Sequence, residues 1–230
     1  MKNIIITLLV LLSGCATQQQ NQSQSGLSEA DIFLASGHDK LSNRNAKGAI
    51  ADLDQAIALC SSQYPNDGTQ VYASRGLAET LYYLLKASAE EKNAITVSVT
   101  CSEALYLRGF ASLDFGRVKL AEEYLKKALD MAPVNSVYLS ELGHIYHSQN
   151  DWENALAIFR EAEEATTYSP VGTKDAELTR AKRGVGYSLI ELGQLEAAKA
   201  KFEECLEIDK NDERALSELE YIEHHLSKAP

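Results

Sequence analysis

The chain has 230 residues, 45% of them hydrophobic, with 22 Lys plus Arg against 33 Asp plus Glu and a net charge of −11. That length holds one good-sized domain or one extended array of small repeats, and the hydrophobic share excludes wholesale disorder. An acidic chain with no Arg/Lys stripe interleaved with aromatics repels phosphate backbones, which argues against nucleic acid as a partner.

The first fifteen residues read as an export signal. Lys2 gives a positive start, and Ile4 to Leu12 is an apolar run. The run is too short for a bilayer span, which needs about 20 apolar residues, but has the size of a signal-peptide core. Leu12-Ser13-Gly14-Cys15 follows and resembles the lipobox of bacterial lipoproteins. The resemblance implies cleavage before Cys15, a diacylglycerol on its sulfur and an acyl group on its new amino terminus. Several acyl chains, at about 0.8 kcal/mol per buried CH₂, make such an anchor effectively permanent. Ala16 stands where the family's inner-membrane proteins tend to carry Asp, which implies the periplasmic side of the outer membrane in a Gram-negative host. Residues 16–26, ATQQQNQSQSG, are polar and low in complexity and are expected to be a disordered tether. Eleven residues reach at most about 40 Å.

Beyond residue 28, four prolines in the whole chain and few β-branched runs favour helix over sheet. A repeat is written there in small residues. Twelve positions after Gly37, Gly109, Gly143 and Gly186 stand Ala49, Ala121, Ala155 and Ala198. Four further on is a large apolar residue (Leu53, Leu125, Phe159, Phe202), and three beyond that a small one (Ala56, Ala128, Ala162, Cys205). Apolar residues at i, i+4 and i+7 make one helix face, so each unit holds two amphipathic helices joined by a turn. Gly on one helix and Ala on the other let the axes approach closely. Gly116, Asn150 and Gly193 suit the left-handed residue that ends a helix.

These residues resemble the tetratricopeptide repeat. The unit from Ser136 carries Leu142-Gly143, Tyr146, Trp152, Ala155, Phe159 and Ala162 at the family's signature places, and Pro133 ends the unit before it. The expected fold is therefore all-α: a solenoid of about five such helix pairs near 30–63, 69–99, 102–135, 136–169 and 179–212, with a capping helix at 211–228. It follows a signal peptide (1–14) and a lipidated tether (15–27), so that 28–230 is the repeat domain. The unit at 69–99 is degenerate, because Lys92 and Ile95 fall where a large apolar and a small residue belong. Between the last two units, extra residues around Tyr168-Ser169-Pro170-Val171-Gly172 shift the register. Leu216, Leu219, Ile222 and Leu226 give the last helix the one-sided face of a solvating cap.

Chemistry is sparse. Glu141, His144 and His147 share one helix, but a straight helix presents two ligands well, and zinc needs three or four that converge. No phosphate-binding glycine loop is present, Gly186-Tyr187-Ser188 lacks the second glycine of a nucleophile elbow, and the Glu pairs on second helices read as solvated charge. No catalytic residue, metal site or cofactor is expected. Cys205 stands where the sister units have Ala and is expected to be buried, reduced and inert. Cys60 and Cys101 flank the degenerate unit and are a candidate disulfide in an oxidising compartment. Regular packing, however, would hold their loops about 8–10 Å apart, beyond the 4.4–6.8 Å usual between bridged Cα atoms.

In the family, first helices line the concave face. Mapped here, that face presents Glu103, Tyr106, Phe110, Leu113 and Asp114, then Val137, Ser140, His144, His147 and Ser148, then Arg180, Arg183, Tyr187, Ile190 and Glu191. The expected partner-binding groove comprises Tyr106, Phe110, His144, His147, Arg183 and Tyr187, with the aromatics as anchors and Arg183 pairing to an acidic group. The family's clamp for acidic carboxy-terminal peptides uses Asn and Lys; the ninth positions here are His38, Leu77, Phe110, His144 and Tyr187, so that specificity is not implied. The resemblance implies a membrane-anchored scaffold or adaptor for other envelope proteins. A pilotin-like factor for a type IV pilus secretin is one alternative, and a metal-binding or enzymatic helical-repeat protein another.

Overall fold

The computed structural model describes residues 28–228; the signal peptide, Cys15 and the tether lie outside them. Four antiparallel helix pairs stack in chain order: α1 (Glu29–Ser42) with α2 (Ala46–Ser61), α4 (Thr100–Leu113) with α5 (Val118–Met131), α6 (Ser136–Ser148) with α7 (Trp152–Ala165), and α8 (Lys174–Glu191) with α9 (Leu195–Ile208). A last helix, α10 (Glu213–Leu226), closes the array against α9. The fold is a helical solenoid of the expected kind, interrupted by one short two-stranded sheet. Among the described residues no helix is long and apolar enough to cross a membrane.

Each pair owes its turn and its spacing to the small residues. The seventh residue after each repeat glycine has positive φ: Arg44 at 58°, Gly116 at 66°, Asn150 at 57° and Gly193 at 73°. This left-handed residue ends the first helix, and the next cap follows: Asn45 and Asp151 each accept a hydrogen bond from a backbone N–H of the second helix. Glycine then lets the helices touch. A Cβ on Gly143 would stand 2.7 Å from the Phe159 ring, and one on Gly186 would stand 2.6 Å from the Phe202 ring. Both phenylalanines are fully buried; each fills the space that its glycine leaves open.

Residues 69–99 depart from the expected helix pair. They form a strand β1 (Gln70–Ala73), a single helix α3 (Leu77–Ala89) and a strand β2 (Ala94–Val97), with β1 and β2 parallel and Val71 opposite Ile95. The run Ala-Ile-Thr-Val suits a pleated strand better than a helix, because three of its four side chains are β-branched. α2 then packs directly on α4, as consecutive repeats do, and the strand–helix–strand is set outside their contact. Among the described residues the array therefore has four helix pairs rather than five.

This arrangement brings Cys60, in the last turn of α2, to Cys101, in the first turn of α4. The two form a disulfide with Cα atoms 5.7 Å apart. The wider spacing expected from intervening repeat packing does not apply, because no helix pair separates the two loops. Cys205 is free and fully buried, and burial pushes its thiol up to about 11.

A buried polar cluster fastens the insertion to the array. The Arg75 guanidinium donates to Glu79 Oε1 at 2.7 Å and to Glu177 Oε1 of α8 at 2.7 Å. Glu177 also accepts from Ser136 at 2.6 Å, Ser169 at 2.5 Å and Thr173 at 2.6 Å. Burial pushes the Glu177 carboxyl up, but these hydrogen bonds outweigh it and hold the group below its ordinary value. The extra residues after α7 thus serve a purpose: Ser169 and Thr173 complete the cage around Glu177.

Candidate functional site

The face made by the first helices carries an apolar pocket of about 160 Å³ between α4, α5 and α6. Tyr106, Phe110 and Leu113 of α4 line one wall, His144 and Ile145 of α6 the other, and Val118 and Leu125 of α5 lie beneath. The pocket exists because Gly109 and Ala121 carry so little at the centre. A Cβ on Gly109 would stand 3.0 Å from the Ala121 carbonyl oxygen, so α4 and α5 nearly touch while their larger neighbours splay above. Phe110 is 45% exposed, an aromatic ring left at the pocket mouth with no internal packing to complete.

The polar rim is internally paired. Glu141 takes hydrogen bonds from Arg180 and, at 3.5 Å, from the Tyr106 hydroxyl. Tyr106 stacks on Tyr138 with centroids 5.1 Å apart, and burial, helped by the Glu141 charge, pushes its hydroxyl up to about 12. His144 meets the Phe159 ring edge-on at 5.0 Å. Burial lowers its pKa, Glu141 opposes that, and Arg180 and Arg183 add to the lowering. The pocket lining is therefore apolar or neutral at neutral pH except for Glu141, whose charge is met by Arg180.

Of the six groove residues expected from the sequence, the structure brings together Tyr106, Phe110 and His144. His147 does not join them: Nε2 lies 2.7 Å from Ser188 Oγ, and the ring packs among Trp152 and Phe159 between α6, α7 and α8. Burial, then the neighbouring His144, lowers its pKa to about 4. Arg183 is not a free cation, because Nη1 donates to Asp212 at 2.6 Å and both side chains are largely buried. Tyr187 sits farther along, its ring edge-on to Phe202 at 5.4 Å and half-buried on the last core cluster. The pocket adds Val118, Leu125 and Ile145. Their apolar character was legible, but their place beneath the groove depends on how α5 leans on α4. The Glu141–His144–His147 set does not converge, and among the described residues no group of three or more His, Cys, Asp and Glu is placed to hold a metal ion.

Family models of the tetratricopeptide repeat match residues 102–135, 139–167 and 184–212. These helix pairs are tetratricopeptide repeats. Solved structures with the same fold include Pseudomonas aeruginosa pilF, 18% identical over 87% of this chain and 70% of that one, with a TM-score of 0.62. MamA of Desulfovibrio magneticus RS-1 is 14% identical over 87% of both chains, with a TM-score of 0.56. The first repeat domain of Spaghetti (RPAP3), bound to the HSP90 peptide SRMEEVD, is 23% identical over 57% of this chain and 98% of that one, at 0.50. A search of curated proteins returned no match. At these identities the likeness concerns the fold. The tetratricopeptide fold is a protein–protein interaction scaffold, and the pocket lies on the face that its first helices supply.

Proposed function

We propose that this tetratricopeptide repeat protein is a non-catalytic, lipid-anchored adaptor of the bacterial envelope that holds a partner protein by an apolar segment seated in the Phe110 pocket. The observation that carries the binding reading is Phe110 itself, 45% exposed at the mouth of a mainly apolar cavity whose one carboxylate, Glu141, is paired with Arg180. Exposed aromatics beside a desolvated pocket are the usual anchors of an interface. The solved Spaghetti domain holds an acidic peptide. Here Arg180 and Arg183 are already paired with Glu141 and Asp212, so an apolar side chain on a helix or extended strand fits better than an acidic tail.

Affinity capture from solubilised envelope tests this reading. Phe110→Ala is expected to leave the array folded and to weaken capture by about 1–2 kcal/mol, a five- to thirty-fold loss. Equal capture by wild type and variant would remove the pocket from the account. The narrower role, pilotin-like assembly of a type IV pilus secretin, requires the captured species to be a secretin subunit. Anchoring rests on the Leu12–Cys15 motif: Cys15→Ala is expected to leave an uncleaved precursor at the inner membrane. A variant that still fractionates with the outer membrane counts against it.

A further inference from the structure

The strand–helix–strand insertion leaves α3 with a face that nothing in the chain covers. Glu79, Tyr83 and Ala87 turn inward, whereas Leu77 is 73% exposed, Leu81 51%, Leu84 39% and Leu85 69%. With Ala78, Ser88 and Ala89 also exposed, this face spans an arc of about 140° at 3.6 residues per turn. It bears no charge at all on a chain of net charge −11. Of the two acidic residues just past its end, Glu90 is held by Lys86 and Lys92, and Glu91 lies exposed beyond the helix.

We propose that this leucine face is a second membrane contact, lying in the headgroup–acyl boundary of a lipid bilayer. The inference rests on the anchored reading above. Three observations select lipid as the occupant. The face is broad and outward-pointing, which suits a surface rather than the narrower seam of a partner helix. It is uncharged where the rest of the chain is acidic, so it can be desolvated without stranding a carboxylate. It also belongs to a helix that only one strand separates from where the membrane-proximal segment joins the fold. β2 is the spacer: Ile95 and Val97 share a cleft with Ser28 and Ala30, while Ala94 packs with Tyr83 and Ala87 of α3. The thirteen residues from Cys15 to Leu27 reach at most about 45 Å, enough for an acyl group at Cys15 and the α3 face to meet one surface together. Docked in this way, the array is held in a fixed orientation rather than swinging on its tether.

The test places a nitroxide at Leu81→Cys in the full chain, with Glu196→Cys on α9 as the reference. Both are mixed with phosphatidylethanolamine–phosphatidylglycerol vesicles, and the mass of the mature amino terminus is read on the same preparation. The expected result is a several-fold higher ratio of oxygen to aqueous nickel-complex collisions at 81 than at 196. The ratio is also expected to fall to that of the reference in Leu77→Glu/Leu85→Glu. An acylated, vesicle-bound chain whose label at 81 is as wet as at 196 overturns the inference and leaves the anchor standing. A chain shielded at 81 without acylation upholds the inference and sinks the anchor, and a chain neither acylated nor shielded sinks both. Shielding that follows protein concentration rather than lipid assigns the face to a second copy and overturns the proposal, as does shielding that requires added envelope protein.

Discussion

Replacing Arg75 with Met tests how the insertion is held. Methionine keeps much of the apolar stem but removes every donor of the guanidinium. Glu79 is fully buried and Glu177 nearly so, and each would lose its ionic partner. Breaking a buried pair from one side costs about 3–5 kcal/mol. The lower end applies here, because Glu177 keeps three hydroxyl donors and Glu79 keeps the backbone N–H of residue 75 at 2.6 Å. Arg75→Met is therefore expected to cost about 3 kcal/mol in urea unfolding at pH 7. Adding Glu79→Gln should recover part of the loss, since it removes one stranded charge. Hydrogen exchange should speed up first in α3, which has few other ties to the array. A loss under about 1 kcal/mol, within the range of a surface ion pair, or uniform exchange across all helices, would refute the claim that this cluster fastens the insertion.

Cys60→Ser should cost roughly 3–4 kcal/mol by freeing a loop of about forty residues in the unfolded chain, and non-reduced peptide mapping of the wild type should recover Cys60 joined to Cys101. Acid should also destabilise the array. His147 has a pKa of about 4 against an ordinary 6.5, so below pH 6.5 the unfolded chain binds a proton that the folded chain refuses. Stability is then lost as pH falls from 6.5 towards 4, by about 1–2 kcal/mol between pH 7.5 and pH 5; His147→Gln should flatten that slope, and an unchanged slope would place the titrating group elsewhere.

The parts of the fold readable in the sequence are those that local spacing encodes. Gly143 with Ala155 and Phe159 describes a close helix pair within one short segment, and Asn150 marks its turn. What could not be read depends on distant contacts. The four residues Ala94–Val97 become a strand only because Gln70–Ala73 lies beside them. The disulfide depends on α2 meeting α4 with the intervening segment set aside. In the groove, Gly109 marked where two helices approach closely, but the loss of Arg183 to Asp212 and of His147 to Ser188 spans 29 and 41 residues. No periodicity reports such pairings.

The central claim, that the Phe110 pocket is the working surface, is tested most directly by a photoreactive phenylalanine analogue at position 110 in living cells, with Glu196 as the control position. The account predicts cross-linking from 110 to a discrete envelope protein, lost when His144→Arg introduces a charge into the pocket wall. Cross-links that are absent from 110, or the same from 196, would contradict it.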